Sequence, residues 1–312
     1  MNDGVPQPGT AGTLGAGEFA ARLRTGIGLR IGPFDAFLRV GSVGIARALH
    51  DLYRDYPLLD RERVFSFHAA LDARRSPLPF GKAKVRFSVD GRAPHEDMPA
   101  GQSLAVLEWG INLVIAMRAH CFLMLHAAAV SHRGGTMLLP AAPGSGKTTL
   151  CAGLALRGWR LYSDEFGLLR PGGIAVTPVP RPLALKNESI DVIRRFSPHA
   201  WLGPEIPGTR KGTVAHLRPP ANSVTRASQC EPARWIVYPQ WRDGSACRLD
   251  EIASSDSFMQ LATNAFNYEH LGESGFDTVR GLVESTRSYR LVYSDLDEAV
   301  AALAELAGGH DH

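Results

Sequence analysis

The residues with the most chemical content form one short run, Pro143-Gly144-Ser145-Gly146-Lys147-Thr148-Thr149. Glycines let the backbone bend so that several N–H groups converge on one anion. A helix starting at Lys147 would add the positive end of its dipole. Lys147 would then reach terminal phosphates, and the Thr148 hydroxyl would ligate Mg²⁺. The implied ligand is ATP with Mg²⁺. The run departs from the full phosphate-loop pattern at its first glycine, which is Ala141 here. Asp164-Glu165 is the second chemical group. An acid at the end of a neighbouring strand can organise Mg²⁺ or take the proton of an attacking hydroxyl. Further cations that could neutralise a transferring phosphoryl group are Arg181, Lys186, Arg210, Lys211 and Arg218, with Lys186 and Lys211 preferred.

Positioning these residues requires strands before and after a helix. Residues 136–140 read as a strand that enters the loop, and 147–157 as a helix stopped by Gly158. Residues 160–162 read as a strand ending at the acidic pair. Residues 122–130 read as one buried strand, joined to 136–140 by the turn Arg133-Gly134-Gly135. Segments 166–169 and 174–179 flank Pro171-Gly172-Gly173 as a second hairpin. Hairpins on both sides of the loop argue for a mixed sheet in an α/β fold rather than an all-parallel one. Further on, 188–196 reads as a helix, 197–209 as a mobile loop rich in Pro and Gly, and 211–217 and 234–238 as strands. Helices follow over 255–284, with breaks near Tyr268 and Gly275. Residues 288–293 form a last strand, and 296–306 a last helix.

The first third carries no recognisable chemistry. Residues 1–15 are rich in Gly, Pro and Thr and read as disordered. Residues 16–100 read as a small α+β domain: strands at 34–40, 63–71 and 84–89, a helix at 42–53, and loops at Pro77, Pro79, Pro94 and Pro99. Residues 101–312 read as the phosphate-loop domain. It opens with a helix capped by Ser103, with Leu104, Leu107, Ile111 and Val114 on its apolar face.

Composition excludes several classes. A net charge of +3 is too small to argue for nucleic acid or an anionic membrane. The apolar stretch 104–130 is interrupted by Glu108, Asn112, Arg118, His120 and His126 and does not read as a membrane span. Without an apolar leader segment the expected location is the cytoplasm. Cys121, Cys151, Cys230 and Cys247 form no CxxC pair and read as buried free thiols.

From His126 to Leu169 the chain resembles the HPr kinase/phosphorylase family, and more narrowly the HPr-kinase-related kinase A group. The resemblance rests on an ordered set. His126 stands in Leu125-His126-Ala127-Ala128-Ala129-Val130, ahead of the glycine-rich loop. After the loop come Arg157-Gly158, Arg160-Leu161-Tyr162 and Asp164-Glu165. It implies a phosphate-loop core like that of HPr kinases and carboxykinases, a small N-terminal domain, and assembly into homo-oligomers, since family members form hexamers. It implies transfer of the γ-phosphate of ATP to a hydroxyl, a serine of a small protein or peptide. The second acid, Glu165, would be the base, with Asp164 facing Mg²⁺ or sharing the role, and His126 would neighbour the base or the γ-phosphate. Glu165 stands where the family usually has Asp. The family's signature loop tied to phosphorolysis is missing, and residues 211–220 resemble the related-kinase group instead. HPr itself is therefore not the expected acceptor. Two other readings stand beside this one: a nucleotide-gated regulatory protein with weak ATPase activity, and a small-molecule kinase with a carboxykinase-like architecture.

Overall fold

In the computed structural model, the chain is described over residues 9–41, 44–74 and 82–309. It is an α/β protein with mixed sheets. The N-terminal unit is a six-stranded sheet ordered Leu58–Leu59, Ile27–Ile31, Phe34–Val40, Phe67–Arg74, Lys84–Val89, Met98–Pro99. Alternation dictates its faces: along Phe34–Val40 every second side chain is buried. The helix Ala46–Leu52 begins later than its apolar spacing suggests, and Ser42, Val43, Pro77 and Pro79 lie outside the described residues.

One expectation about this unit is corrected. Residues 9–15 are ordered rather than disordered: Thr10 bridges Pro57, and Ala11–Thr13 forms a 3-10 turn with Ala11 fully buried. Residues 1–8 lie outside the described residues. Packing also continues across residue 100. Helix Ser103–Arg118 packs on strands Phe67–Arg74 and Lys84–Val89, and its apolar residues join the same core as Phe19, Leu38 and Phe87. It is buried on more than one face, with Ala105, Val106 and Ile115 covered as well as the expected stripe. Ser103 does not cap it, and its hydroxyl donates to the Ala100 carbonyl instead. By length and composition, Ala100–Arg118 could cross a membrane, but 61% of it is buried inside the protein, as in a core helix.

The second unit is built on a nine-stranded sheet. Its main run is Arg160–Ser163, Ala127–His132, Gly135–Pro140, Glu231–Trp241, Arg287–Tyr293, Arg248–Glu251. Gly135–Pro140, Glu231–Trp241 and Arg287–Tyr293 run parallel, and the rest antiparallel. A branch from the start of Glu231–Trp241 leads through Ala175–Thr177 and Gly167–Leu169 to Leu123–Leu125. The turn Arg133-Gly134 has positive φ at both residues (48° and 76°), the geometry that matches the twist of a two-residue hairpin. Helices Lys147–Leu156 and Leu296–Gly308 cover one face of this sheet, while Ser254–Thr263 and Glu273–Ser285 contribute to the other core. The helices break before Tyr268 and at Gly272, close to the expected positions, and Gly275 itself lies inside Glu273–Ser285.

A three-stranded sheet, Leu183–Lys186, Gly212–Leu217 and Ile206–Thr209, lies over the site. Its third strand falls in the expected mobile loop, where Leu202 also bridges Leu217. Of the four free cysteines only Cys151 is buried; Cys121 and Cys230 are exposed.

Candidate functional site

The glycine-rich loop leaves the end of Gly135–Pro140 and turns into helix Lys147–Leu156. Gly144 and Gly146 take φ of 86° and 85°, which side chains rarely adopt. At Gly146 space also forbids a side chain, because a Cβ would fall 2.5 Å from the Tyr293 hydroxyl. The loop is braced from two neighbouring strand ends. Trp241 N–H donates to the Ser145 carbonyl (2.9 Å), and the Tyr293 hydroxyl donates to the Gly146 carbonyl (3.1 Å). The sequence carried no local signal for these braces.

Lys147 is the first helical residue and is nearly buried; its Nζ donates to the Asp164 carbonyl at 2.9 Å. This bond ties the loop to the strand end that carries both acids. The Ser163 hydroxyl accepts from the N–H groups of Glu165 (3.2 Å) and Phe166 (2.9 Å), fixing the turn that separates the two carboxylates.

A cleft of about 570 Å³ collects most of the predicted residues, and Asp164 is not among its lining. Pro143 to Thr149, His126, Glu165, Lys186 and Lys211 all line it, joined by Ala142, Ala184 and Ser189. Asn187, next to Lys186, reaches the turn that carries Lys211: its Oδ1 accepts from Thr213 N–H and its Nδ2 donates to the Lys211 carbonyl. The Lys211 ammonium also sits 5.7 Å from the Trp109 ring centre, a contact from the N-terminal unit. Burial lowers the Lys186 pKa, and Lys211 lowers it further, while Glu165 and Asp164 oppose the shift. Such crowding of cations suits a polyanion.

His126 does not lie within one strand. It occupies the break between Leu123–Leu125 and Ala127–His132, where the chain passes from the branch to the main sheet. Asn264 clamps it from both sides: its carbonyl accepts the His126 N–H, and its Nδ2 donates to the His126 carbonyl, each at 2.9 Å. Burial and then Lys147 lower the imidazole pKa, against Glu165, so the ring is neutral near pH 7.

The two acids differ. Glu165 lines the cleft and is partly exposed. Asp164 is buried beside the Thr148 hydroxyl, and its Oδ1 has no hydrogen-bond partner. The Ser145 hydroxyl is also buried without a partner. A hydroxyl and a carboxylate in this arrangement could supply two oxygen ligands to Mg²⁺, which keeps waters and shares phosphate oxygens. Burial pushes the Asp164 pKa up to about 7, with Glu165 raising it and Lys147 lowering it. The folded protein therefore holds this proton more tightly than the unfolded chain. Stability is lost as pH rises from roughly 4 towards 7. Asp164→Asn is expected to stabilise the ligand-free protein by on the order of 2 kcal/mol at pH 8 and by nothing near pH 4. Urea unfolding across that window measures it, and a gain that did not vary with pH would contradict the buried carboxylate.

Three expected cations lie elsewhere or are otherwise engaged. Arg181 is buried against Glu108 and Asn112 of helix Ser103–Arg118, with its Nη2 2.5 Å from Glu108 Oε2. Arg218 stacks over Trp201 and donates to the Asp51 carbonyl. Arg210 is not among the cleft residues. Compared with known proteins, the chain matches no family model and no curated protein sequence.

Proposed function

We propose that this chain is an ATP- and Mg²⁺-dependent kinase with an HPr-kinase-like phosphate-loop core. In this reading it transfers the γ-phosphate to a hydroxyl, a serine of a small protein or peptide. One observation carries the reading. A helix N-terminus, three lysines, a neutral histidine and Glu165 meet at a single cleft, with Asp164 buried behind it beside Thr148.

The residues at and behind the cleft divide the work. Loop N–H groups and Lys147 hold the phosphates, while Lys186 and Lys211 offset charge on the transferring group. Thr148 and Asp164 would hold Mg²⁺, which supplies charge neutralisation at the phosphates when bound. Glu165, on the open side, accepts the acceptor's proton during in-line attack. His126 stays uncharged beside it and so does not compete as a cation for the phosphate. The carboxykinase-like and purely regulatory readings share the loop but give Glu165 no protein hydroxyl to deprotonate.

Calorimetry of ATP binding in the presence of Mg²⁺ tests the phosphate site. Lys147→Ala is expected to weaken binding by about 30-fold or more, because it removes a charge-assisted contact inside the cleft. Equal affinity in wild type and variant would place the nucleotide somewhere else.

A further inference from the structure

The phosphate cleft has a neighbour of different character. A second cavity, about 490 Å³, shares Gly144, Gly146, Thr149 and Ser189 with it and is otherwise lined by different residues. Its far wall is formed where two strands end. Glu231–Trp241 and Arg287–Tyr293 run parallel to the strand that feeds the loop, so all three deliver their C-terminal ends to the same edge. Ligands of α/β sheets bind at that edge.

Charge partitions the two cavities. The phosphate cleft is lined by Lys147, Lys186 and Lys211 against Glu165. The second is lined by Glu188, Asp243, Asp295 and Asp297 against Arg195. An acidic cavity repels phosphates and accepts hydrogen bonds from hydroxyls. Asp295 already caps its helix by accepting the Glu298 N–H, and Asp297 pairs with Arg157. Glu188 and Asp243 are the exposed acids that complete the wall.

Trp241 supplies a platform. It is 46% exposed, one of the largest apolar side chains left open. Its rim is pinned, with the indole N–H donating to the Ser294 carbonyl at 3.1 Å, and its backbone braces the loop at Ser145. A ring held by its edge keeps its orientation and offers its face for stacking.

We infer that this second cavity is the nucleoside subsite, with the base stacked on Trp241 and the ribose hydroxyls donating to Asp243. The inference rests on the phosphate-binding reading of the loop and extends it to the other half of the ligand. It makes the cavity, not the lysine cleft, the place where a nucleotide is told from a bare polyphosphate.

Calorimetry with Mg²⁺ and either ATP or inorganic tripolyphosphate separates the two halves. Wild type is expected to bind ATP more tightly than tripolyphosphate. Trp241→Ala is expected to weaken ATP by about 10–100-fold and tripolyphosphate by less than about threefold, and Trp241→Phe to keep most of the ATP affinity. Asp243→Ala, at an exposed position, is expected to weaken ATP by about threefold to tenfold and to leave 2′,3′-dideoxy-ATP unchanged. If wild type bound both ligands equally, or if Trp241→Ala and Asp243→Ala left ATP affinity untouched, the subsite would be overturned while the phosphate site stood. If wild type bound neither ligand, the phosphate site would fall and the subsite with it.

Discussion

Glu165→Gln is expected to lower phosphoryl transfer by about 10²–10⁴-fold while leaving the affinity for Mg²⁺ and ATP within about threefold. The amide keeps the side chain's length and shape but cannot take a proton. Position decides between the two acids. Glu165 lines the open cleft with His126, Lys147 and Lys186, where an acceptor hydroxyl can approach. Asp164 is buried behind it, next to Thr148, with its carbonyl holding Lys147. Glu165→Asp should recover part of the transfer, because the carboxylate returns one methylene short. Single-turnover assays with labelled ATP measure all three proteins. Undiminished transfer by Glu165→Gln would move the base to Asp164 or remove general-base catalysis from this site.

Arg181→Met is expected to cost about 3–5 kcal/mol of stability, because it leaves the Glu108 carboxylate buried without its partner. The pair lies at the junction of the two units. Glu108 Oε1 accepts from the Tyr53 hydroxyl at 2.8 Å, and its Oε2 receives Arg181. Arg181 also donates to the Glu108 carbonyl and to Asn112, while the Tyr56 hydroxyl donates to the Pro180 carbonyl. Burial, and then the charge on Glu108, hold the Tyr53 hydroxyl well above its ordinary pKa, so it remains a donor. The double variant Glu108→Leu/Arg181→Met should recover most of the loss, since no charge is then stranded. Urea unfolding measures the three proteins. A loss under about 1 kcal/mol for Arg181→Met would contradict a dry, paired junction.

The same junction shows where sequence reading stops. Glycine-rich loop, hairpin turn, helix stop and acidic pair are local signals, and each sits where its residue types require. Helix Ser103–Arg118 was also legible as a helix. Its partner was not, because an apolar face does not name the sheet that covers it; it covers the N-terminal sheet. Arg181 is close in sequence to the acidic pair and looked like a phosphate ligand, yet Glu108, 73 residues earlier, holds it. Residues 122–130 are apolar almost throughout, so nothing local revealed that the strand breaks at His126. The clamp that makes the break comes from Asn264, 138 residues away. Trp241 and Tyr293 brace the loop from distant strand ends in the same way.

Transfer of label to an acceptor tests the central claim most directly. The protein would be incubated with Mg²⁺ and ATP labelled at either the γ- or the α-phosphate, together with fractionated soluble proteins and peptides. The account predicts that only γ-label moves, that it arrives on serine, and that Lys147→Ala abolishes it. Transfer of α-label, transfer that survives Lys147→Ala, or tight ATP binding with no acceptor labelled in any fraction would contradict it.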